Sequence, residues 1–450
     1  GGPGDSFHWT GTYFNWNTRC AECHSTGLEK NYSMTTDTFA TAWSEVNVAC
    51  ESCHGPGSDH LDWARSSNQG DNNGLQVQYS KQLNWVIAKG MSIANPQGDP
   101  HRGATTEIES CAACHSRRSK ISSAPINNYP ADKIFLDHYQ LQTLEQGLYH
   151  ADGQIEDEVY VYGSFLQSKM HQRGVTCSNC HNPHSLELKA EGNALCAGCH
   201  APQTYDTPKH HHHQQADSTG AQCVNCHMPA TVYMGVDARR DHSMRVPRPD
   251  IAAQIDAPNA CNMCHTDRAT SWSVSAIESW LGKNASKPEL AAQAIYAARI
   301  NAPDANQQLI DLANNATINE LTRATALGLL ENYPNISSYS TAQQQLKSDK
   351  PLLRIGALNA LAFLPLQQRW QDISPRLNDP VRSVRLEATK LIMGIAGLDS
   401  TQQAELDRHI ERYIEALMVN ADMPNGQLNL AAAYLAQGAY QKAEQAYQHA

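Results

Sequence analysis

Phenylalanine is scarce in this 450-residue chain, with six in all, and hydrophobic residues make up 41% of it. That is thin for the apolar interior a chain of this length would build from side chains alone. Long apolar runs are missing as well. No stretch approaches the roughly 20 residues that a bilayer-spanning helix needs, so no membrane span is expected. Positive charge is in deficit, 34 Lys and Arg against 45 Asp and Glu for a formal net charge of -11. Nucleic acid and anionic membrane surfaces are therefore unsuited as partners. The first residues show no basic, apolar leader. Finally, no cysteine is left over, because all fourteen fall into one recurring pentapeptide.

That pentapeptide is Cys-x-x-Cys-His, and it occurs seven times. The copies are Cys20/Cys23/His24, Cys50/Cys53/His54, Cys111/Cys114/His115, Cys177/Cys180/His181, Cys196/Cys199/His200, Cys223/Cys226/His227 and Cys261/Cys264/His265; they are called motifs 1 to 7 below. At this spacing two thiols can form thioethers to the vinyl groups of one porphyrin while the next imidazole ligates its iron. Structural zinc would not require a histidine after every second cysteine, and disulfides would not require one spacing throughout. Seven covalent haem c groups are expected, in a multihaem cytochrome domain over residues 1–270 whose interior is mostly porphyrin. Their propionates make the loaded protein more acidic still. Haem is attached to this motif outside the cytoplasm, so the protein is expected to be exported, periplasmic or extracellular, and the chain to be a mature or trimmed product.

Residues 1–270 are rich in Gly, Pro, Asn, Ser and His, which favours loops and short helices. Helices are expected at Asp132 to Gln146 and Glu158 to Met170. Tight motif spacing from Cys177 to Cys226 forces neighbouring porphyrins into edge contact. From about Ser271 the composition turns to Ala, Leu and Gln with helical periodicity. Arg323, Arg354 and Arg385 are 31 residues apart, and Ala326, Ala357 and Ala388, then Leu330, Leu361 and Ile392, keep the same register. The small and aliphatic positions share one helical face. Asp379-Pro380 opens the third copy. Units of this kind must stack to bury their faces, which predicts a HEAT-like α-solenoid over residues 271–420. Tyr434, Gly438, Tyr440, Ala443 and Tyr447 fit the start of a tetratricopeptide repeat over 421–450, truncated before its closing proline. The fold class expected is mostly α with much irregular structure, and the solenoid is expected to dock a partner.

An iron with both axial positions filled carries electrons only, whereas an open one supports chemistry. Twelve further histidines lie in the haem region, enough for seven irons. His60 and His184 leave their motifs in short polar turns and are expected to ligate a neighbouring haem. His150, His171 and His242 come next, with His138 and His8 also available. Of the run His210, His211, His212 and His213, the first and last are expected to reach an iron. His101 fits a solvated role. Met170, Met228, Met234 and Met244 compete as axial ligands and would raise the potential; Met263 lies inside its own motif and cannot reach over the porphyrin.

The strings HWTGTYFNWNTRCAECHSTGL, TAWSEVNVACESCHGPGSDH, HADGQIEDEVYVYGSFLQSKMH, GVTCSNCHNPHSLELKAEGNALCAGCH, CVNCHMPA and RRDHSMRVPRPD resemble exported bacterial multihaem cytochromes that carry tetratricopeptide repeats. That group is similar, more distantly, to hydroxylamine oxidoreductase, its tetrahaem electron acceptor, and the pentahaem and octahaem nitrite and tetrathionate reductases. The resemblance implies an eighth haem in a missing N-terminal segment, which leaves His8 to that haem or to one of the seven. It implies single-electron transfer along a haem chain, in respiratory or extracellular electron transfer, with redox proteins as partners. A homo-oligomer or filament is compatible with it. The alternative is a nitrite-, hydroxylamine- or tetrathionate-type reductase with one open haem. No motif here has the Lys that marks ammonia-forming nitrite reductases, and Tyr149, Tyr160 and Tyr162 carry no signature of a porphyrin crosslink. In that alternative Lys169, Arg173, Arg239, Arg240 or Arg245 would supply positive field; otherwise they pair with propionates. A carrier is expected over a catalyst.

Overall fold

The computed structural model describes every residue except 1, 6–7, 12–13, 68–69, 71, 80–82, 101–103, 125–133, 234 and 283–288. His101, Met234 and the first two residues of the helix expected at Asp132 to Gln146 lie outside the described residues.

The motif-bearing part is built of short pieces. Among the described residues its strands form only two-stranded antiparallel ladders, among them β1 (Ser25–Thr26) with β2 (Glu45–Val46), β3 (Arg118–Lys120) with β4 (Tyr139–Leu141), β5 (His181–Asn182) with β6 (Glu187–Leu188), and β7 (Ala230–Tyr233) with β8 (Asp237–Arg240). Its helices of eight residues or more are α1 (Ser58–Arg65) and α2 (Ala104–His115). Through residue 100, the buried apolar side chains among the described residues are Ala21, Leu28, Val77 and Ala94. So small a set cannot hold a hundred residues together by apolar burial.

The helix expected at Asp132 to Gln146 does not form over the described residues. A 3-10 turn at Phe135–Asp137 leads into β4. Tertiary bonds claim the backbone groups that a helix would use. The carbonyls of Leu136 and Tyr139 accept from Ser383 Oγ, and the backbone of 139–141 pairs with β3. The helix expected from Glu158 is shorter, at Tyr162–Gln167. Tyr160 sits at φ 59°, which blocks an earlier start. Ser168 ends the helix in extended backbone and accepts from His171 N–H to cap a further turn at Lys169–Gln172.

From residue 270 helices follow one another: α3 (Thr270–Leu281), α4 (Leu290–Arg299), α5 (Ala305–Asn314), α6 (Glu320–Leu329), α7 (Ile336–Gln345), α8 (Pro351–Ala360), α9 (Arg382–Ile392), α10 (Ser400–Met418), α11 (Pro424–Ala436) and α12 (Tyr440–His449). They pack in succession: α5 on α6 and α7, α6 and α7 on α8, α8 on α9, then α9 on α10, α10 on α11 and α11 on α12. The 31-residue register falls on α6, α8 and α9 or at their ends. Ala326, Ala357, Ala388, Leu330, Leu361 and Ile392 are all fully buried. Gly356 permits the α6–α8 approach, since a Cβ there would lie 2.7 Å from the Ala324 carbonyl oxygen. The repeated arginines bond carbonyls that precede their own helices, Arg323 to Ala313 in the last turn of α5, Arg354 to Ser348 and Arg385 to Asp379. Helix α9 opens at Arg382, two residues after Pro380.

The two parts share an interior. One apolar cluster runs from Ile108, Phe135, Tyr139, Tyr149 and Phe165 into Leu309, Leu327, Leu358, Val384 and Ile410. Polar bonds cross the same boundary, from Leu144 N–H to Thr325 Oγ1 at 3.0 Å and from Arg382 N–H to Asp137 Oδ1 at 2.7 Å. The segment around motif 1 is tied to the far end of the helical part. Lys30 pairs with the buried Asp422 at 2.6 Å, and Thr18 donates to the same carboxylate.

Candidate haem sites

Five pairs of imidazoles share nearly one spacing, and four of them are near parallel; the fifth, His211 with His213 at 6.3 Å, is tilted by 36° and includes no motif histidine. In the four, ring centres are 6.3 Å apart for His54 and His184, 6.4 Å for His181 and His242, 6.2 Å for His210 and His227, and 6.2 Å for His213 and His265. The ring planes of these four pairs diverge by 13° to 23°. Direct stacking brings rings much closer, as His212 on Trp280 shows at 3.9 Å and 6°. Two metal–nitrogen bonds of about 2 Å each, plus the inner half of each ring, give a centre-to-centre distance of about 6 Å. The gap is the width of one metal ion between two imidazoles. Each of the four pairs joins a motif histidine to one of the histidines singled out outside the motifs.

The second ring nitrogen is committed as a metal ligand requires. Nδ1 faces a backbone carbonyl in His54 (Val77, 3.1 Å), His60 (Asn73, 2.7 Å), His213 (His211, 2.6 Å), His227 (Arg245, 2.9 Å) and His242 (Arg240, 2.9 Å). A proton on Nδ1 donated to that carbonyl leaves the lone pair on Nε2, free to point at a metal. Burial is the largest cause that holds His115, His181, His200, His210 and His242 below the ordinary imidazole pKa. These features, with the scarcity of buried apolar side chains, fit haem.

The other candidates are placed as follows. No second imidazole faces His24, His115 or His200 at this spacing among the described residues. His60 stacks on Trp63 at 5.4 Å, His138 is buried beside β4, and His171 packs edge-on against Phe165. His150 is half-buried in the turn closed by its own N–H to the Gln154 carbonyl. His8 Nδ1 accepts from Thr10 N–H at 3.3 Å, the reverse of the pattern above. Met244 packs against the shared core, and Met263 is 42% exposed. Sequence reasoning did not pair any distal histidine with its motif, because the partners come from separate turns. It also missed the carbonyl acceptors, which have no side-chain signature.

Neighbouring motifs touch through their thiols. Cys23 and Cys114 are in side-chain hydrogen-bond contact, and Cys23 Sγ lies 3.8 Å from the Cys114 carbonyl. The Cys111 and Cys177 thiols act on one another's ionisation, raising the pKa of Cys111 and lowering that of Cys177, and the Cys223 and Cys196 thiols do the same. Cys53 is within electrostatic reach of Cys111, Cys180 of Cys199, and Cys226 of Cys261 and Cys264. Sulfurs that touch while bonded to different porphyrins would bring those porphyrin edges into contact.

The charged groups near the motifs are largely bonded within the protein. Glu22, inside motif 1, takes Lys120 at 2.8 Å, Arg118 at 3.0 Å and Tyr139 Oη at 3.2 Å. Burial opposes its ionisation, but the Lys120 and Arg118 cations outweigh that and hold its pKa below the ordinary value. Arg239 pairs with Glu158 and Asp237, Arg240 bonds Asn225 and the Met228 carbonyl, and Arg245 bonds the Asp152 carbonyl. Glu109 on α2 pairs with no such cation among the described residues. Burial, opposed by a bond from Phe135 N–H and reinforced by Asp137, lifts its pKa from 4.5 to about 7. The folded chain therefore holds a proton there that the unfolded chain releases. Its stabilising effect is complete below about pH 4.5 and is lost as pH rises to about 7, on the order of 3 kcal/mol in total at about 1.4 kcal/mol per pH unit. Glu109→Gln is expected to flatten the fall in urea midpoint between pH 5 and pH 8; an unchanged slope would show that Glu109 ionises freely.

The family model described as cytochrome c554 and c-prime matches residues 9–55, and the doubled CXXCH motif model matches residues 170–205. With the recurring pentapeptide, these matches define the class: a multihaem c-type cytochrome, carrying covalent haem c. No curated protein matches the chain. Among solved structures, the chain is similar to the crystal structure of the outer cell wall cytochrome OcwA, at 19% identity over 77% of this chain and 76% of that one, with a TM-score of 0.40. Among the described residues no helix is long and apolar enough to cross a membrane.

Proposed function

We propose that this chain holds seven haems in one connected, branched row and carries single electrons along it. When bound, each haem supplies a one-electron centre whose potential is set by axial ligand, burial and nearby charge. The observation that carries the reading is the set of four imidazole pairs, each spaced for a metal held on both faces. His184, His242, His210 and His213 serve as distal ligands to motifs 2, 4, 6 and 7. The irons of motifs 1, 3 and 5 draw on His8, His60, His138, His150 and His171. The thiol contacts support an order in which motif 3 meets motifs 1, 2 and 4, and the row then runs through motifs 5, 6 and 7.

The carrier reading is preferred to a reductase. Of the five cations that would hold an anionic substrate, Arg239, Arg240 and Arg245 already bond protein groups, while Lys169 and Arg173 are exposed. Residues 1–270 form the electron-transfer domain of an exported protein, periplasmic or extracellular. The 31-residue register and the stacked helix pairs support a HEAT-like solenoid over 271–420, with a tetratricopeptide repeat beginning at 421.

Replacing His184 tests the reading. His184→Met should raise the potential of one haem by on the order of 100 mV, since axial ligands span about 0.8 V between them. His184→Ala should give one high-spin haem in the electron paramagnetic resonance spectrum of the oxidised protein. His212→Ala, which removes a ring stacked on Trp280, should change neither readout. If every haem keeps its potential and spin state in the His184 variants, the pairing is wrong.

A further inference from the structure

The row proposed above has one arm, at motif 2, whose surroundings are open to solvent on both sides of the imidazole pair. On the motif side, Trp43, Val46, Val48 and Leu61 present apolar surface, Val46 at 62% exposure. On the other side, the β5–β6 hairpin that delivers His184 ends in Leu186, 89% exposed. The motif 1 arm is different, because Asp422 in the turn between α10 and α11 clasps its segment through Lys30 and Thr18.

Charge marks the same face. Residues 43–65 and 181–191 carry six carboxylates, Glu45, Glu51, Asp59, Asp62, Glu187 and Glu191, against Arg65 and Lys189. Glu45, Asp59 and Asp62 are exposed, and none of them forms an ion pair among the described residues. Near motif 7, the other exposed end, carboxylates are instead paired with adjacent arginines, Asp267 with Arg268 and Asp250 with Arg248. An apolar contact area inside an unneutralised acidic rim is the complement of a redox protein whose own cofactor edge is ringed by lysine or arginine. Such a rim accelerates encounter by roughly 10-fold to 1000-fold at low salt and loses its effect as salt rises.

We propose that the motif 2 face is the electron port of this protein and that it docks a basic redox protein. This rests on the row reading. The port is built from the β1–β2 hairpin, helix α1 and the β5–β6 hairpin around the His54–His184 pair, and electrons enter or leave the row there at its shortest distance from a partner.

The test uses the fully loaded protein, reduced and then mixed in a stopped-flow instrument with oxidised mitochondrial cytochrome c as the basic probe. Ferricyanide serves as the anionic probe. Glu45→Gln, Asp59→Asn and Asp62→Asn combined should slow oxidation by cytochrome c about 10-fold at low salt and flatten its salt dependence. Oxidation by ferricyanide should not slow. The matching change at motif 7, Asp267→Asn with Glu278→Gln, should leave the cytochrome c rate within about two-fold of the parent. An unchanged rate in the triple variant overturns the port, as does a larger loss in the motif 7 variant. Equal slowing with both probes also overturns it, since the defect would then lie inside the row. The two readings fail separately: haem potentials unmoved by His184→Met sink the row, whatever the docking rates show.

Discussion

On the proposed seven-haem row, replacing Cys111 and Cys114 together by alanine is expected to remove one haem in seven and to divide the row into three. The thiols of motif 3 lie within electrostatic reach of those of motifs 1, 2 and 4. Its helix, α2, is also anchored on both sides. Glu107 accepts from Ser178 N–H at 2.7 Å, which fixes motif 4 against it, and Arg118 bonds the Ala113 carbonyl at 2.6 Å while pairing with Glu22 of motif 1. The pyridine haemochrome absorbance should fall by one part in seven relative to protein. Electrons delivered in less than stoichiometric amount should then redistribute among the remaining haems much more slowly than in the parent protein. Cys261→Ala with Cys264→Ala makes the control, because it costs the same absorbance but only shortens the row at one end. If both variants redistribute electrons at the parent rate, the junction at motif 3 does not exist.

Asp379→Ala is expected to cost about 3–5 kcal/mol of stability, the range for breaking a buried ion pair by removing one partner. Arg354 bonds Asp379 through two nitrogens, both at 2.8 Å, with the Asp379 side chain wholly buried and Arg354 nearly so. The same carboxylate accepts from Val381 N–H at 3.0 Å at the entrance to α9. Without it, a guanidinium stays buried with the Ser348 carbonyl as its remaining strong acceptor, and α9 loses its lead-in. Loss of helical circular dichroism in urea should move to a lower midpoint. Arg354→Met combined with Asp379→Leu should recover most of the loss, because the cost lies in the unpaired charge rather than in the absence of a pair. A single variant as stable as the parent would mean that water reaches the site and screens it.

How much could be read in advance follows from what each feature depends on. The haem attachment points are written in five consecutive residues, since thioether formation and proximal ligation need only local spacing. The helices around Arg323, Arg354 and Arg385 were legible for a related reason: burial of one face repeats with the helical period, so Ala326, Ala357 and Ala388 reveal themselves at fixed intervals. The stretch expected as a helix around Phe135 and Tyr139 misled because its apolar spacing suits a helix while its carbonyls are taken by Ser383, almost 250 residues away. That competition leaves no local trace.

The sequence by itself determined that this is a multihaem c-type cytochrome, because the cofactor is bound by covalent bonds to neighbours in the chain. It also determined where helical packing begins, because periodicity is a property of short segments. Only the tertiary structure decided which histidine faces which, with His184 brought to His54 and His242 to His181 from turns far apart in the chain. An axial pair needs two rings one metal apart in space, and distance in space between remote residues is set by the folded chain, not by their order along it.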